Sequence, residues 1–213
     1  MSRTVWRCTK MLITGIKSKP VYVPLAPDLA GRFHLLVGHG VGGEPLLQLL
    51  TALRASGSGT RSTRRLLYVA EDTAAALLAR VRAAEGAETQ LCLNAGALLM
   101  QLREVLAAAV MGTRLYVAGP EAFMGLVMRL ADEFNLNRDE IRAEECGSRA
   151  RRVHCIHCHA ATENVVTNIV QCRDCQRWLV VRDHYSRRFA AYMGVMVDAE
   201  VPGERPPVVE VFV

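Results

Sequence analysis

Phe33-His-Leu-Leu-Val-Gly38, followed by His39-Gly40-Val41-Gly42-Gly43-Glu44-Pro45, is the stretch whose reading decides the fold. A nearly continuous apolar run suits a strand buried on both faces, as the central strands of a parallel sheet are. The glycines then make a tight turn, and Leu46, Leu47, Leu49, Leu50 and Leu53 recur at helical spacing over residues 46–56. Strand, glycine turn and helix N-terminus together form a geometry that holds a pyrophosphate, because free backbone N–H groups and the helix dipole face the anion. The same glycines also serve a plain strand-to-helix turn, and the motif alone leaves both readings open.

The pattern repeats downstream. After a polar loop at 55–65, strands are expected at 66–70, 89–93 and 115–117. Helices are expected at 73–84, with Thr73 placed to cap, and at 95–111 and 121–133. A last turn and short strand cover 138–144. Strands alternating with helices of ten or more residues mean βαβ units and a parallel α/β sheet. Ligands of such sheets lie at the carboxyl ends of the strands, where both the turn through Gly40, Gly42, Gly43 and Pro45 and the later Ala118-Gly119-Pro120 fall. Upstream, strand candidates at 11–14 and 21–24 sit in a segment too short to bury a core of its own. The first domain is therefore expected to span 1–146.

A second signal lies beyond it. Cys155-Ile-His-Cys158 and Cys172-Arg-Asp-Cys175 are two Cys-x-x-Cys pairs separated by 13 residues. Each pair brings two sulfurs to one turn, and two such turns complete a tetrahedral four-sulfur site. That makes residues 151–200 a small β-rich metal ribbon, of the zinc-ribbon or rubredoxin kind. The site suits structural Zn²⁺, a single redox iron or a [2Fe–2S] cluster. The hydrated residues His157, Arg173 and Asp174 in the turns favour zinc. His154, His157 and His159 are substitute ligands only if a cysteine fails to bind. Strands are expected at 176–181 and 189–197. Between them His184, Tyr185, Arg187 and Arg188 form either a partner-docking surface or a solvated hairpin turn. Residues 201–213, with three prolines, read as an extended tail able to lie along a partner. Cys8, Cys92 and Cys146 read as packing residues, His34 as a core histidine, and His39 as a residue within reach of a phosphate.

Composition narrows the classes. A hydrophobic content of 51% is ample for a core, yet the longest apolar run, 105–111, is far too short to span a membrane. Residues 11–16 are too short and polar for a secretory signal. The expected setting is the cytoplasm, where reduced thiols favour metal over disulfide. A net charge of +5 is mild and does not by itself argue for nucleic acid. No Ser-His-Asp set or carboxylate pair suggests hydrolysis.

Residues 30–146 resemble the pyridine-nucleotide half of the ferredoxin-reductase family. That half opens with a strand and Gly-Gly-x-Gly-x-x-Pro, matched by His39–Pro45 with His39 for the first glycine, and later has Cys-Gly-Pro, matched by Ala118-Gly119-Pro120. A helix leading to Ile-x-x-Glu is matched by Ile141 and Glu144. The resemblance implies NAD(P)H at the glycine turn. Glu71 and Asp72 stand where an arginine would take a 2′-phosphate, and they suit a ribose hydroxyl better. No flavin barrel precedes the domain, so any flavin is expected on another polypeptide. With the four-cysteine module behind it, the whole chain resembles the DmmA-like small subunit of bacterial dimethylamine monooxygenase. That resemblance implies a multisubunit enzyme that demethylates a secondary amine with NAD(P)H and O₂. Haem and FMN would be carried by partner subunits, and this chain would serve electron transfer or assembly without being catalytically competent alone. Neither a nucleic acid nor a membrane is an expected partner. The alternatives are a zinc-ribbon nucleic-acid-binding protein, suggested by Arg149, Arg151, Arg152, Arg177, Arg187 and Arg188, and a free-standing NADH reductase.

Overall fold

The computed structural model describes residues 18–56, 62–71 and 73–213. The strand expected at 11–14, Cys8 and Asp72 lie outside them. The chain forms two compact units, residues 22–147 and residues 18–21 with 148–213.

The first unit is a five-stranded sheet in the order β3-β2-β1-β4-β5. Its strands are β1 (Phe33–His39), β2 (Thr63–Val69), β3 (Glu88–Cys92), β4 (Thr113–Gly119) and β5 (Ile141–Glu145), and all neighbouring pairs are parallel. The helices between them are α1 (Gly43–Ala55), α2 (Ala75–Arg82), α3 (Ala95–Ala107) and α4 (Glu121–Glu133). Parallel strands need crossover helices, which cover both faces and leave the central strands apolar throughout. Leu35, Leu36 and Val37 in β1 are accordingly fully buried. One face packs Leu98, Leu102, Phe123, Met124 and Val127 of α3 and α4; the other packs Leu46, Leu49, Leu50, Leu53, Leu77 and Val81 of α1 and α2.

Several boundaries move for physical reasons. Thr73 does not cap α2: its hydroxyl lies 3.1 Å from the Tyr68 hydroxyl and donates to the Glu71 carbonyl. The cap of α3 is Asn94, whose side chain accepts from the Ala97 amide. This helix stops at Ala107 instead of running to 111, because Thr113 donates from both its amide and its hydroxyl to Val110 and turns the chain. Residues 21–24 are not a strand. The stretch from Tyr22 runs as a strap pinned by side chains, with the Leu25 amide on Glu144 (2.7 Å) and the Asp28 amide on the Tyr116 hydroxyl (3.0 Å). Arg114 locks the strap by an ion pair to Asp28 at 2.7 Å.

The second unit is a five-stranded sheet in the order β7-β6-β10-β9-β8. It comprises β6 (Arg151–Cys155), β7 (Ala161–Val165), β8 (Ile169–Gln171), β9 (Trp178–Ser186) and β10 (Ala191–Met196). Only β6 and β10 are parallel neighbours. Ser18, expected with the first domain, belongs here. Its amide donates to Asp183 (2.9 Å) and its carbonyl accepts from Tyr185 (3.1 Å), satisfying backbone groups on the edge of β9. The tail also folds back on its own unit. Asn168 takes Val209 through both its backbone and its side chain, and the amides of Val211 and Phe212 donate to Val166.

Candidate functional site

Each Cys-x-x-Cys pair forms the tip of a hairpin, the first joining β6 to β7 and the second joining β8 to β9. The two tips are built alike. The carbonyl of each first cysteine accepts an amide four residues on, Cys155 from His159 (3.0 Å) and Cys172 from Gln176 (3.1 Å). The amide of each first cysteine donates five residues on, Cys155 to Ala160 (2.9 Å) and Cys172 to Arg177 (2.8 Å). Both loops close through a residue in the left-handed region, His159 at φ 64° and Gln176 at φ 60°. Glycine is the usual solution there, so the sequence carries no signal for this feature.

The tips converge. The sulfurs of Cys155, Cys158, Cys172 and Cys175 all lie within 4.8 Å of one another. Cys155 and Cys175 are 3.8 Å apart and Cys158 and Cys172 are 3.5 Å apart, and none is in a disulfide. Four sulfurs on a tetrahedron about 2.3 Å from a central ion would stand roughly 3.8 Å apart, so the donor set fits a single metal ion. The first cysteine of each pair is fully buried against Leu179, and the second is half-exposed. Gly194 makes room for this packing: a methyl there would meet Val153 at 2.7 Å and Leu179 at 2.9 Å.

The thiols do not ionise alike. The Arg177 amide, assisted by its guanidinium, pulls Cys175 down to about 6. Cys158 accepts from the Ala160 amide, yet burial and its contacts with Cys172, Cys175 and Cys155 push it up to about 12. Packed thiolates repel one another, and a cation at the centre relieves that repulsion.

The histidines stay outside the cluster. His154 stacks flat on Phe189 at 3.9 Å, and burial lowers its pKa. His157 and His159 are exposed. The expected docking loop is largely strand, since β9 runs on to Ser186. Tyr185 is a correction to the docking set: strand alternation turns it inward, where it meets Tyr192 edge-on at 5.2 Å. His184 is half-buried, while Arg187 and Arg188 are exposed in the turn. Trp178, Tyr185 and Phe189, the aromatic residues nearest the arginines, are each engaged within the chain, Trp178 under Arg205 at 4.4 Å.

In the first unit the two glycine turns meet. The strand order reverses between β1 and β4, so His39–Gly43 and Gly119-Pro120 face one crevice at the carboxyl end of the sheet. Gly40, at φ 55°, starts a short 3₁₀ turn that runs directly into α1. The buried Tyr68 hydroxyl donates to the Gly40 carbonyl. His39 lies 3.9 Å from Glu71 and beside the Phe123 ring. His34 is wholly buried, 3.2 Å from the Tyr116 hydroxyl, and burial lowers its pKa. Cys146, just past β5, is a half-buried thiol raised to about 11 by burial and by Glu144.

An open parallel α/β sheet followed by a ribbon with four converging thiols defines a class: a nucleotide-domain-like protein joined to a module able to hold one metal ion. The chain belongs to the dimethylamine monooxygenase subunit DmmA-like family. The model of that family's N-terminal domain matches residues 14–141 and the model of its C-terminal domain matches 152–195. The chain is 35% identical over 105 residues to the heme-dependent oxidative N-demethylase delta subunit of Ectopseudomonas mendocina (strain ymp), a match covering 49% of this chain and 60% of that one. Among solved structures it is similar to phthalate dioxygenase reductase, with a TM-score of 0.44, 20% identity, and coverage of 66% of this chain and 46% of that one. It is also similar to the Amycolatopsis cytochrome P450 reductase GcoB, with a TM-score of 0.43, 15% identity, and coverage of 60% and 42%. The chain thus spans about three fifths of the curated relative and under half of either reductase. Among the described residues, no helix is long and apolar enough to cross a membrane.

Proposed function

We propose that this chain is an assembly subunit of a cytoplasmic, haem-dependent oxidative N-demethylase of the dimethylamine monooxygenase type. The whole enzyme converts a secondary amine to a primary amine and formaldehyde with NAD(P)H and O₂. Haem and FMN reside on partner subunits, and the flavin-bearing partner handles the reducing nucleotide. What carries this reading is the family match across both units, joined to the four-sulfur cluster.

The cluster holds one Zn²⁺ through Cys155, Cys158, Cys172 and Cys175. A [2Fe–2S] cluster shares four cysteines between two irons and would spread the sulfurs beyond a single-ion tetrahedron. The half-exposed sulfurs and the exposed His157, Arg173 and Asp174 favour zinc over a redox iron, which works best shielded from water. Bound zinc clips the two hairpin tips together and so stabilises a module whose own core is small.

Metal analysis and an absorption spectrum of the purified chain test the assignment. One zinc per chain and no visible bands are expected; sulfur-to-iron charge-transfer bands would turn the module into an electron relay. Co-purification with haem- and FMN-bearing subunits tests the assembly role.

A further inference from the structure

We propose that the carboxyl end of the sheet in residues 22–147 is a docking face for a basic surface of a partner subunit, and not a dinucleotide pocket. This inference rests on the subunit reading above.

The glycine turn is the first ground. Space that glycines leave for a phosphate in a nucleotide site is filled by the chain itself beside Gly42 and Gly43, and stays open beside Gly40. A methyl on Gly42 would stand 2.2 Å from the Ala118 carbonyl oxygen, and one on Gly43 would stand 3.0 Å from the Tyr68 hydroxyl. These glycines are explained by contacts between β4, Tyr68 and the turn, with no ligand required.

Charge is the second. An anion at this end would face the N-termini of α1 and α4, and both carry a carboxylate in the first turn, Glu44 and Glu121. Glu71 follows β2, and Glu144 and Glu145 close β5. Among the described residues of 22–147, the loops at this end and the first turns of the four helices contain no arginine or lysine; Arg149 follows beyond them in the loop that leaves β5. Arg80, farther along α2, is held on Glu44 at 2.6 Å. A pyrophosphate with two negative charges meets repulsion here, whereas a basic protein surface meets complementary charge.

Exposed apolar residues at the same end are the third. Leu93, just past β3, is 92% exposed, and Val41, just past β1, is 46% exposed. Exposed apolar side chains interspersed with carboxylates at one end of a sheet suit burial against a protein surface.

The test uses the full chain with the purified flavin-bearing and haem-bearing subunits, and NADH as the nucleotide probe. Glu71→Lys with Glu145→Lys reverses two exposed charges, Leu93→Ser removes the apolar anchor, and Glu104→Lys at the opposite end of the sheet is the control. Sedimentation should show a wild-type complex that weakens between roughly 50 and 300 mM NaCl. The double charge reversal and Leu93→Ser should each weaken it about tenfold or more, while Glu104→Lys leaves it unchanged. Calorimetry of the chain alone should show no NADH binding at about 1 mM. A wild-type complex that these variants form equally well overturns the docking face, as does NADH binding by the wild-type chain. If the wild-type chain joins neither subunit, the subunit reading falls and this inference falls with it.

Discussion

Arg151 and Asp183 hold each other at 2.8 Å inside the C-terminal unit, with the guanidinium stacked between the rings of Tyr192 at 3.8 Å and Phe212 at 3.7 Å. The four groups come from β6, β9, β10 and the tail, so one side chain ties together parts distant in sequence. Arg151→Ala leaves the half-buried Asp183 carboxylate with Lys19 alone and opens the aromatic stack. We expect a loss of roughly 2 kcal/mol of stability in this unit. Arg151→Lys should recover little, because an ammonium has no flat face to stack. Denaturant unfolding followed by tyrosine and tryptophan fluorescence reads both.

Acid should weaken both units. Burial alone would raise the carboxyl of Asp183, but Arg151 and then Lys19 bring it below its ordinary 3.8; Arg114 does the same for Asp28. A carboxyl whose folded pKa is lowered adds stability that is complete above its unfolded pKa and disappears as pH falls through the folded value. Thermal midpoints should therefore hold above about pH 5 and drop below about pH 4. Asp183→Asn should flatten that drop; an equally steep acid loss in the variant would assign it to other groups.

Cys172→Ser removes one buried corner of the four-sulfur cluster. Its expected effect is loss of metal and unfolding of residues 148–213, with residues 22–147 still resistant to protease. Chelator treatment of the wild-type chain should give the same fragment. Digestion of the whole chain at one rate would contradict two independently stable units.

His159 and Gln176 occupy the left-handed region at the ends of the two metal loops. Replacing His159 by glycine should stabilise the metal-bound protein by up to about 1 kcal/mol, the relief of a strained side chain set against greater freedom when unfolded. Gln176→Gly should yield less, because the Gln176 side chain donates to the Arg173 carbonyl at 3.1 Å. Thermal melts under excess zinc measure both.

Gly42→Ala tests how tightly the two glycine turns meet. A methyl 2.2 Å from a backbone oxygen cannot be accommodated by a side-chain shift, so β4 and the turn must separate. A cost of at least about 2 kcal/mol in the first unit is expected. Gly96→Ala, on an exposed helical position with its nearest neighbour at 3.3 Å, should be neutral or stabilising.

Much of the first unit is legible residue by residue. Buried parallel strands are written as apolar runs, and Glu121–Glu133 emerges with the bounds its amphipathic spacing predicts. Legibility fails where a distant residue intervenes. Thr73 is a good cap by local rules, but the Tyr68 hydroxyl engages it across the turn. β6, with Arg151 and Arg152 at its start, does not read as a strand, because the aromatic rings that bury Arg151 lie 41 and 61 positions away. Tyr185 reads as surface beside three arginines, yet strand alternation and Tyr192 place it in the core.

What the sequence by itself determined is what neighbouring residues decide between them: two thiol pairs, each spaced for one turn, and strands and helices in the alternation that a parallel sheet demands. Tertiary structure alone decided how close the four sulfurs come and what the carboxyl end of the sheet presents. Parallel pairing brings Glu44, Glu71, Glu121, Glu144 and Glu145 from four separate connections to one end of the sheet, and hairpins from opposite edges of the second sheet carry their sulfurs to one point. Charge and coordination depend on distance in space, and the sheets, through hydrogen bonds between residues far apart in the chain, set those distances.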